Sequence, residues 1–251
     1  MGVVAVTGGA GTLGRLLVLR LRAAGHEVRV LSRRPAAGTH RVDLATGEGL
    51  SAALDGATVV VHAATDRRLG RTDPEQTRRL LAAATHVEHL LYVSIVGIDD
   101  IPLGYYRRKL DCERQIGASG VPSTILRATQ FHELVAGLLR AVERWPVAAL
   151  PLDARFQTVA ADEVAARLVD LVGAPPAGRA PDLGGPEVQT LSAMVAVWRE
   201  QRGRPRRVFR LPMPGGLGRA FREGRNTCPD QADGRQTWAE FVGDLRSHDH
   251  G

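Results

Sequence analysis

Seven residues in, the chain reads Thr7-Gly8-Gly9-Ala10-Gly11-Thr12-Leu13-Gly14, a glycine-rich segment between two runs of different periodicity. Val3 to Thr7 is a short β-branched apolar run, which predicts a strand. After the glycines, Leu13, Leu16, Leu17, Leu21 and Ala24 recur at helical spacing until Gly25 stops them. A tight turn of bare backbone leading into a helix lets a pyrophosphate approach the helix N-terminus. Unpaired N–H groups and the macrodipole favour negative charge there. Read from Gly9 the segment is G-x-G-x-x-G, and in this strand–turn–helix setting it predicts dinucleotide binding by Thr7, Gly8, Gly9, Gly11, Thr12, Leu13 and Gly14.

The alternation continues. Strands are expected at Glu27–Leu31, His40–Leu44, Thr58–Ala63, Leu90–Ser94 and Ser123–Arg127. Helices are expected at Leu50–Leu54, at Pro74–Ala84 with Asp73 as its cap, and at Tyr105–Ile116. Strand, helix, strand in this rhythm implies α/β architecture, a doubly wound parallel sheet with helices on both faces. Past about residue 130 the rhythm changes: helices at Glu133–Trp145, Asp162–Val172 and Ser192–Gln201 are separated by Pro/Gly-rich loops. A strand is expected at Phe156–Val159 and another before Gly184-Gly185-Pro186. Without a linker or repeat, residues 1–251 read as one domain, with 130–251 forming a small C-terminal substrate-binding cap.

Charge at the end of the second strand bears on which dinucleotide binds. NAD-binding loops carry an acid about 20 residues on, for the ribose hydroxyls. Here the strand ends Leu31-Ser32-Arg33-Arg34, with no acid. A guanidinium takes a 2′-phosphate through paired hydrogen bonds, so Ser32, Arg33 and Arg34 favour NADP(H) over NAD. Asp43 either accepts from the adenine amino group or caps a turn.

A possible catalytic set follows the fifth strand. Ser94 ends it, and eleven residues later comes Tyr105-Tyr106-Arg107-Arg108-Lys109. Tyr105 and Lys109, four apart, share a helix face. An ammonium beside a phenol favours the phenolate and brings its pKa toward a working range, while a serine hydroxyl holds the substrate oxygen. The plainer reading is an aromatic and a lysine on a half-exposed helix. His62, at the end of a buried strand, reads first as a neutral hydrogen-bonded histidine and second as a proton carrier.

Composition narrows the setting. Hydrophobic residues make up 44% of 251, enough for a sizeable core. The net charge is +6, mostly arginine spread along the chain. The densest run, Arg202 to Arg210, reads as a solvated loop rather than a nucleic-acid patch. Two cysteines, Cys112 and Cys228, match no metal motif and fit a reducing, cytoplasmic setting. The N-terminus begins on a strand, leaving no room for a signal peptide, and no apolar run approaches a membrane span. No metal, nucleic acid or membrane partner is expected, only a small-molecule substrate and a monomeric or homodimeric state.

These segments together resemble the short-chain dehydrogenase/reductase superfamily, closest to its atypical NmrA-like NAD(P)-binding branch. The resemblance rests on Thr7 to Gly14, Ser32-Arg33-Arg34-Pro35, His62-Ala63-Ala64-Thr65, Leu126-Arg127-Ala128-Thr129-Gln130-Phe131 and Gly184-Gly185-Pro186-Glu187. It implies a Rossmann-type fold with the cofactor at the carboxyl ends of the strands, touched also by Ala63, Ala64, Thr65 and Lys109. It implies serine, tyrosine and lysine roles for Ser94, Tyr105 and Lys109, and substrate contacts at Gln130, Phe131 and His132. The activity implied is NAD(P)H-dependent oxidoreduction of a small carbonyl, enone or quinone-like molecule. A non-catalytic NADP(H)-sensing regulator and a cofactor-dependent epimerase or dehydratase remain open beside it.

Overall fold

In the computed structural model, which describes residues 2–34, 36–66, 68–204 and 207–249, strands and helices alternate from the start. The chain runs β1 (Val3–Thr7), α1 (Thr12–Ala23), β2 (Glu27–Ser32), β3 (Thr39–Arg41), α2 (Leu50–Leu54), β4 (Val59–His62), α3 (Asp73–Ala83), β5 (His89–Ile95), α4 (Gly104–Ala118) and β6 (Ser123–Ala128). It continues through α5 (His132–Glu143), β7 (Val147–Leu150), β8 (Arg155–Phe156), α6 (Ala161–Val172), β9 (Gly178–Arg179) and β10 (Gln189–Thr190). The last elements are α7 (Leu191–Arg202), β11 (Arg207–Arg210), α8 (Gly215–Arg222) and α9 (Trp238–Asp249). Two compact units emerge. Unit 1 comprises Met1–Ser94, Gly104–Arg127 and Val164–Pro181, and unit 2 comprises Ile95–Leu103, Ala128–Glu163 and Asp182–Gly251.

Unit 1 is built on a seven-stranded parallel sheet ordered β3-β2-β1-β4-β5-β6-β9. The winding reverses between β1 and β4, the place where open α/β sheets leave a crevice at the carboxyl ends of the strands. Both faces are covered, as the continuous apolar runs require. Ala5, Val60, Leu90 and Tyr92 join a core with Leu54 of α2, Leu80 of α3 and Ile116 of α4. Their strand neighbours Val4, Val6, Val61 and Leu91 are equally buried, as are Leu17 and Leu21 of α1. The buried Arg127 of β6 donates from Nε and Nη2 to Glu113 of α4, at 2.9 and 2.6 Å. This pair fixes the helix that carries Tyr105 and Lys109.

Unit 2 has its own core. Val135 and Leu139 of α5, Leu150 of β7, Trp198 of α7, and Trp238 and Phe241 of α9 pack together. Two-stranded sheets, parallel β7–β11 and antiparallel β8–β10, complete it.

Several elements differ from the sequence expectation. The third strand is only Thr39–Arg41; Asp43 lies beyond it in a turn that its own side chain closes. The strand expected at Phe156–Val159 is instead the pair Arg155–Phe156, because Gln157 turns its amide onto the Gly185 carbonyl and the Cys228 N–H. The arginine run is not a loop throughout: Arg202 ends α7, and Arg207–Arg210 pairs with Val147–Leu150. Pro205 and Arg206 of that run, and Pro35 after the second strand, lie outside the described residues. Among the described residues no helix is long and apolar enough to cross a membrane.

Candidate cofactor and catalytic site

The glycine loop lies between β1 and α1, where the sequence predicts it, and each glycine has its own reason. Gly8 has φ +72°, and a Cβ there would stand 2.8 Å from the Ala63 carbonyl and the Ala64 Cα. A Cβ on Gly14 would collide with the Gly8 carbonyl oxygen, so this glycine lets α1 pack on the loop. Gly11 is different. It is exposed and extended, with φ −78° and ψ 178°, and its Cβ would meet only the Gly8 oxygen, at 3.2 Å. No side chain caps α1 and no acid occupies its first turn. The helix start is thus open, electropositive and bare, which suits a pyrophosphate. At the end of β2, Arg33 and Arg34 are exposed, and the Ser32 hydroxyl accepts from the Arg34 N–H at 3.2 Å. Asp43 accepts from the Ala45 N–H at 2.9 Å, the turn-capping alternative.

A buried polar chain backs this loop. Thr7 Oγ1 accepts from the Ala64 N–H at 3.3 Å and bonds His62 Nδ1 at 2.8 Å; His62 Nε2 reaches Thr77 Oγ1 at 3.1 Å. His62 is 2% exposed, and burial, assisted by the Lys109 charge, lowers its pKa to about 3. Both nitrogens are engaged and the ring is neutral, so His62 holds Thr7 and the Ala63–Thr65 backbone rather than carrying protons. An unfolded histidine titrates near 6.5, so below that pH the unfolded chain takes up a proton that the fold refuses. The contribution to stability is complete above pH 6.5 and is lost as pH falls toward about 3, at up to ~1.4 kcal/mol per pH unit. Relative to wild type, His62→Gln should flatten the dependence of unfolding free energy on pH between 6 and 4 by about one proton, measured by urea unfolding. Parallel curves would remove His62 from this role.

Tyr105 and Lys109 lie on α4, as expected, but their electrostatics do not match the expectation. Lys109 is buried, donates to the Val93 carbonyl at 3.2 Å and lies 4.8 Å from the centre of the Tyr92 ring. Burial lowers its pKa, opposed by Asp73. The Tyr105 phenol is shifted up, not down: burial raises it, a hydrogen bond with Thr65 opposes that, and Asp73 adds to the rise. The expectation that Lys109 lowers the Tyr105 pKa is therefore corrected. Lys109 is turned toward β5, and the carboxylate beside the phenol is Asp73. Tyr106 is 5% exposed and Tyr105 more open, which favours Tyr105 as the one able to reach a ligand. Ser94 Oγ is buried with no hydrogen-bond partner among the described residues.

Asp73 is the residue whose role the sequence misassigned. It is the first residue of α3 rather than its cap; Thr72 takes that position without a side-chain cap bond. The Asp73 carboxylate accepts instead from Thr65 Oγ1 at 3.1 Å and from the Asp66 N–H at 2.7 Å. It thereby shapes the loop after β4, as Arg108 does by donating to the Leu69 carbonyl. The Asp-Pro pair reads locally as a helix start, and nothing local reveals that the carboxylate turns back to Thr65.

In unit 2 the expected substrate residues are mostly occupied. His132 is fully buried, bonded to Thr158 Oγ1 at 2.8 Å and the Gln236 carbonyl at 3.0 Å, and stacked on Phe241. Gln130 is 7% exposed and accepts from Asn226 at 3.0 Å. Phe131 is the half-exposed member of the three. Among the described residues no cluster of potential ligands could hold a metal ion.

Comparison with known proteins agrees with this geometry. Residues 8–175 match the profile of the NAD(P)H-binding family. The chain belongs to that family. It is 30% identical over 147 residues to photosystem II assembly factor Ycf39 of Trieres chinensis, which covers 51% of this chain and 46% of that protein. The chain thus spans about half the length of this curated relative. Among solved structures it is similar to the NADPH-dependent quinone oxidoreductase QOR2 of Escherichia coli in complex with NADPH. That match has a TM-score of 0.80 and 20% identity, over 96% of this chain and 99% of that one. It is also similar to the UDP-glucose 4-epimerase of Thermus thermophilus in complex with NAD, with a TM-score of 0.79 and 20% identity over 99% of each chain. These likenesses show a shared Rossmann-like fold.

Proposed function

We propose that the chain is an NADP(H)-dependent oxidoreductase acting on a small carbonyl, enone or quinone-like molecule. The observation that carries this reading is the pairing of an open, acid-free α1 N-terminus with a β2 exit bearing exposed Arg33 and Arg34 and no carboxylate. The first suits a pyrophosphate, the second an adenosine 2′-phosphate. The likeness to QOR2, solved with NADPH, supports it. Bound NADPH supplies a hydride. The chain's own part is to hold the cofactor on the glycine loop, and to present Ser94 Oγ and the protonated Tyr105 phenol to the substrate oxygen. Lys109, close under Tyr92, steadies β5 against α4. Within unit 2, the half-exposed Phe131 is the available side chain of the segment expected to contact a substrate. The sensing alternative draws support from one observation: the Lys109 ammonium lies against the Tyr92 ring and the Val93 carbonyl rather than at Tyr105. Turnover of NADPH with a panel of quinones and enones separates the two.

The cofactor preference is tested by fluorescence titration with NADPH and NADH. NADPH is expected to bind at least tenfold more tightly, as ~1.4 kcal/mol from one charge-assisted pair requires. Arg33→Ala with Arg34→Ala should erase the gap by weakening NADPH alone. Equal wild-type affinities would refute the assignment.

A further inference from the structure

Unit 2 carries a helix that is apolar on both sides. On α5, Val135 and Leu139 face the core. The opposite stripe, Leu134, Leu138 and Ala141, is exposed and runs on to Trp145 just past the helix end. Leu134 is 64% exposed and Trp145 59%. A contiguous apolar stripe left exposed on a helix marks a surface that something apolar can cover. The sheet that follows repeats the pattern. On β7 and β11, Ala148, Leu150 and Val208 turn inward, so strand alternation sends Val147, Phe209 and the adjoining Leu211 outward. Phe209 is 58% exposed and Leu211 53%. Register sets Arg207 beside Val147, and the Leu211 N–H extends the ladder to the Leu150 carbonyl.

Four arginines border these residues. Arg140 and Arg144 flank the α5 stripe, Arg204 lines a 200 Å³ recess with Trp145, and Arg207 stands next to Val147. No ion pair engages these four among the described residues. Of the nearby acids, Glu143 is committed to Trp198 and Arg202 and Asp153 to Arg210, while Glu133, beside Leu134, is half-buried. A second copy placed face to face would oppose arginine to arginine, which disfavours a two-fold contact. Aliphatic side chains with Trp and Phe, rimmed by arginines whose stems reach along apolar surface, match the level of lipid headgroups.

We infer that the outer side of α5, continued through Trp145 and Val147 to the exposed residues of β11, binds the surface of an anionic lipid bilayer without crossing it. The inference is independent of the redox reading. It differs from the expectation, drawn from the lack of a spanning segment, that no membrane is involved. That expectation could not see an apolar face gathered from residues 134–147 and 207–211.

The test is co-sedimentation of the intact chain with vesicles of phosphatidylcholine alone or mixed with phosphatidylglycerol. Binding is expected only to the anionic vesicles and to weaken with salt. Each arginine near the surface contributes about fivefold, so Arg144→Gln with Arg207→Gln should cost roughly 30-fold. Leu138→Glu with Phe209→Glu should abolish binding; both residues are exposed, so NADPH affinity should be unchanged. Trp198 and Trp238 are buried, so a blue shift on binding should come from Trp145 and vanish in Trp145→Phe. Absence of binding to anionic vesicles would overturn the inference. So would binding that the double variants leave intact, or a stable dimer that Phe209→Glu dissociates.

Discussion

Gly11→Val is expected to leave the chain folded and to weaken binding of both NADPH and NADH by at least about 100-fold, or ~2.7 kcal/mol. The three neighbouring glycines cannot make this separation. A side chain at Gly8 would be strained at φ +72° and pressed on the Ala63–Ala64 backbone, and one at Gly14 would meet the Gly8 oxygen. Gly9 has Val30 Cγ1 2.7 Å from its Cβ position. Substitution at any of them disturbs the loop itself. Gly11 has an ordinary extended backbone and one near contact, 3.2 Å from the Gly8 oxygen, which a small shift relieves. A valine there would stand over the bare N–H groups of α1, where the cofactor's pyrophosphate would lie. Far-UV circular dichroism and the melting temperature check the fold, and fluorescence titration checks the affinity. A folded Gly11→Val variant with wild-type affinity would move the pyrophosphate away from this helix.

Tyr105→Phe is expected to lower turnover of a confirmed quinone or enone substrate by about two to four orders of magnitude, the usual contribution of a general acid. NADPH affinity should not change, and Tyr106→Phe should cost little. The structure adds a pH signature. A phenol donor works while protonated, and its protonation is lost as pH rises through its pKa. Burial and Asp73 hold that pKa above the ordinary 10.0, so kcat should stay level across neutral and moderately alkaline pH. Had Lys109 governed the phenol, the rate would fall within the neutral range. Asp73→Asn should move the alkaline limb to lower pH, because it removes the charge that opposes the phenolate. A rate insensitive to Tyr105→Phe would assign the proton to solvent or to the substrate.

The framework was legible because its signals are local. The strand–glycine–helix segment, the apolar runs at Val59–His62 and His89–Ile95, and the Gly25 stop depend on neighbours close in sequence. Other features needed contacts at long range. Lys109 was matched to Tyr105 by helix spacing, but the Tyr92 ring, seventeen residues earlier on β5, draws its ammonium away. Asp73 carries a helix-start signal that a bond to Thr65 overrides. His132 lies in a segment that reads as ligand-facing, and only Thr158 and Gln236 reveal it as part of a core. The β7–β11 pair joins residues 60 apart by register, so an arginine-rich stretch read as solvated loop became a strand.

The edge of the central sheet has a consequence for how the chain acquires its structure. β6 is finished by residue 128, but its outer neighbour β9 is Gly178–Arg179, supplied after a long stretch of unit 2 has been made. On the ribosome, β6 must therefore wait with its pairing groups exposed for about fifty residues, some seconds of synthesis at ~5–20 residues per second. A nascent chain stalled or cleaved between residues 128 and 178 would carry six of the seven strands with β6 as well as β3 at an open edge, and an unpaired strand edge can recruit another chain.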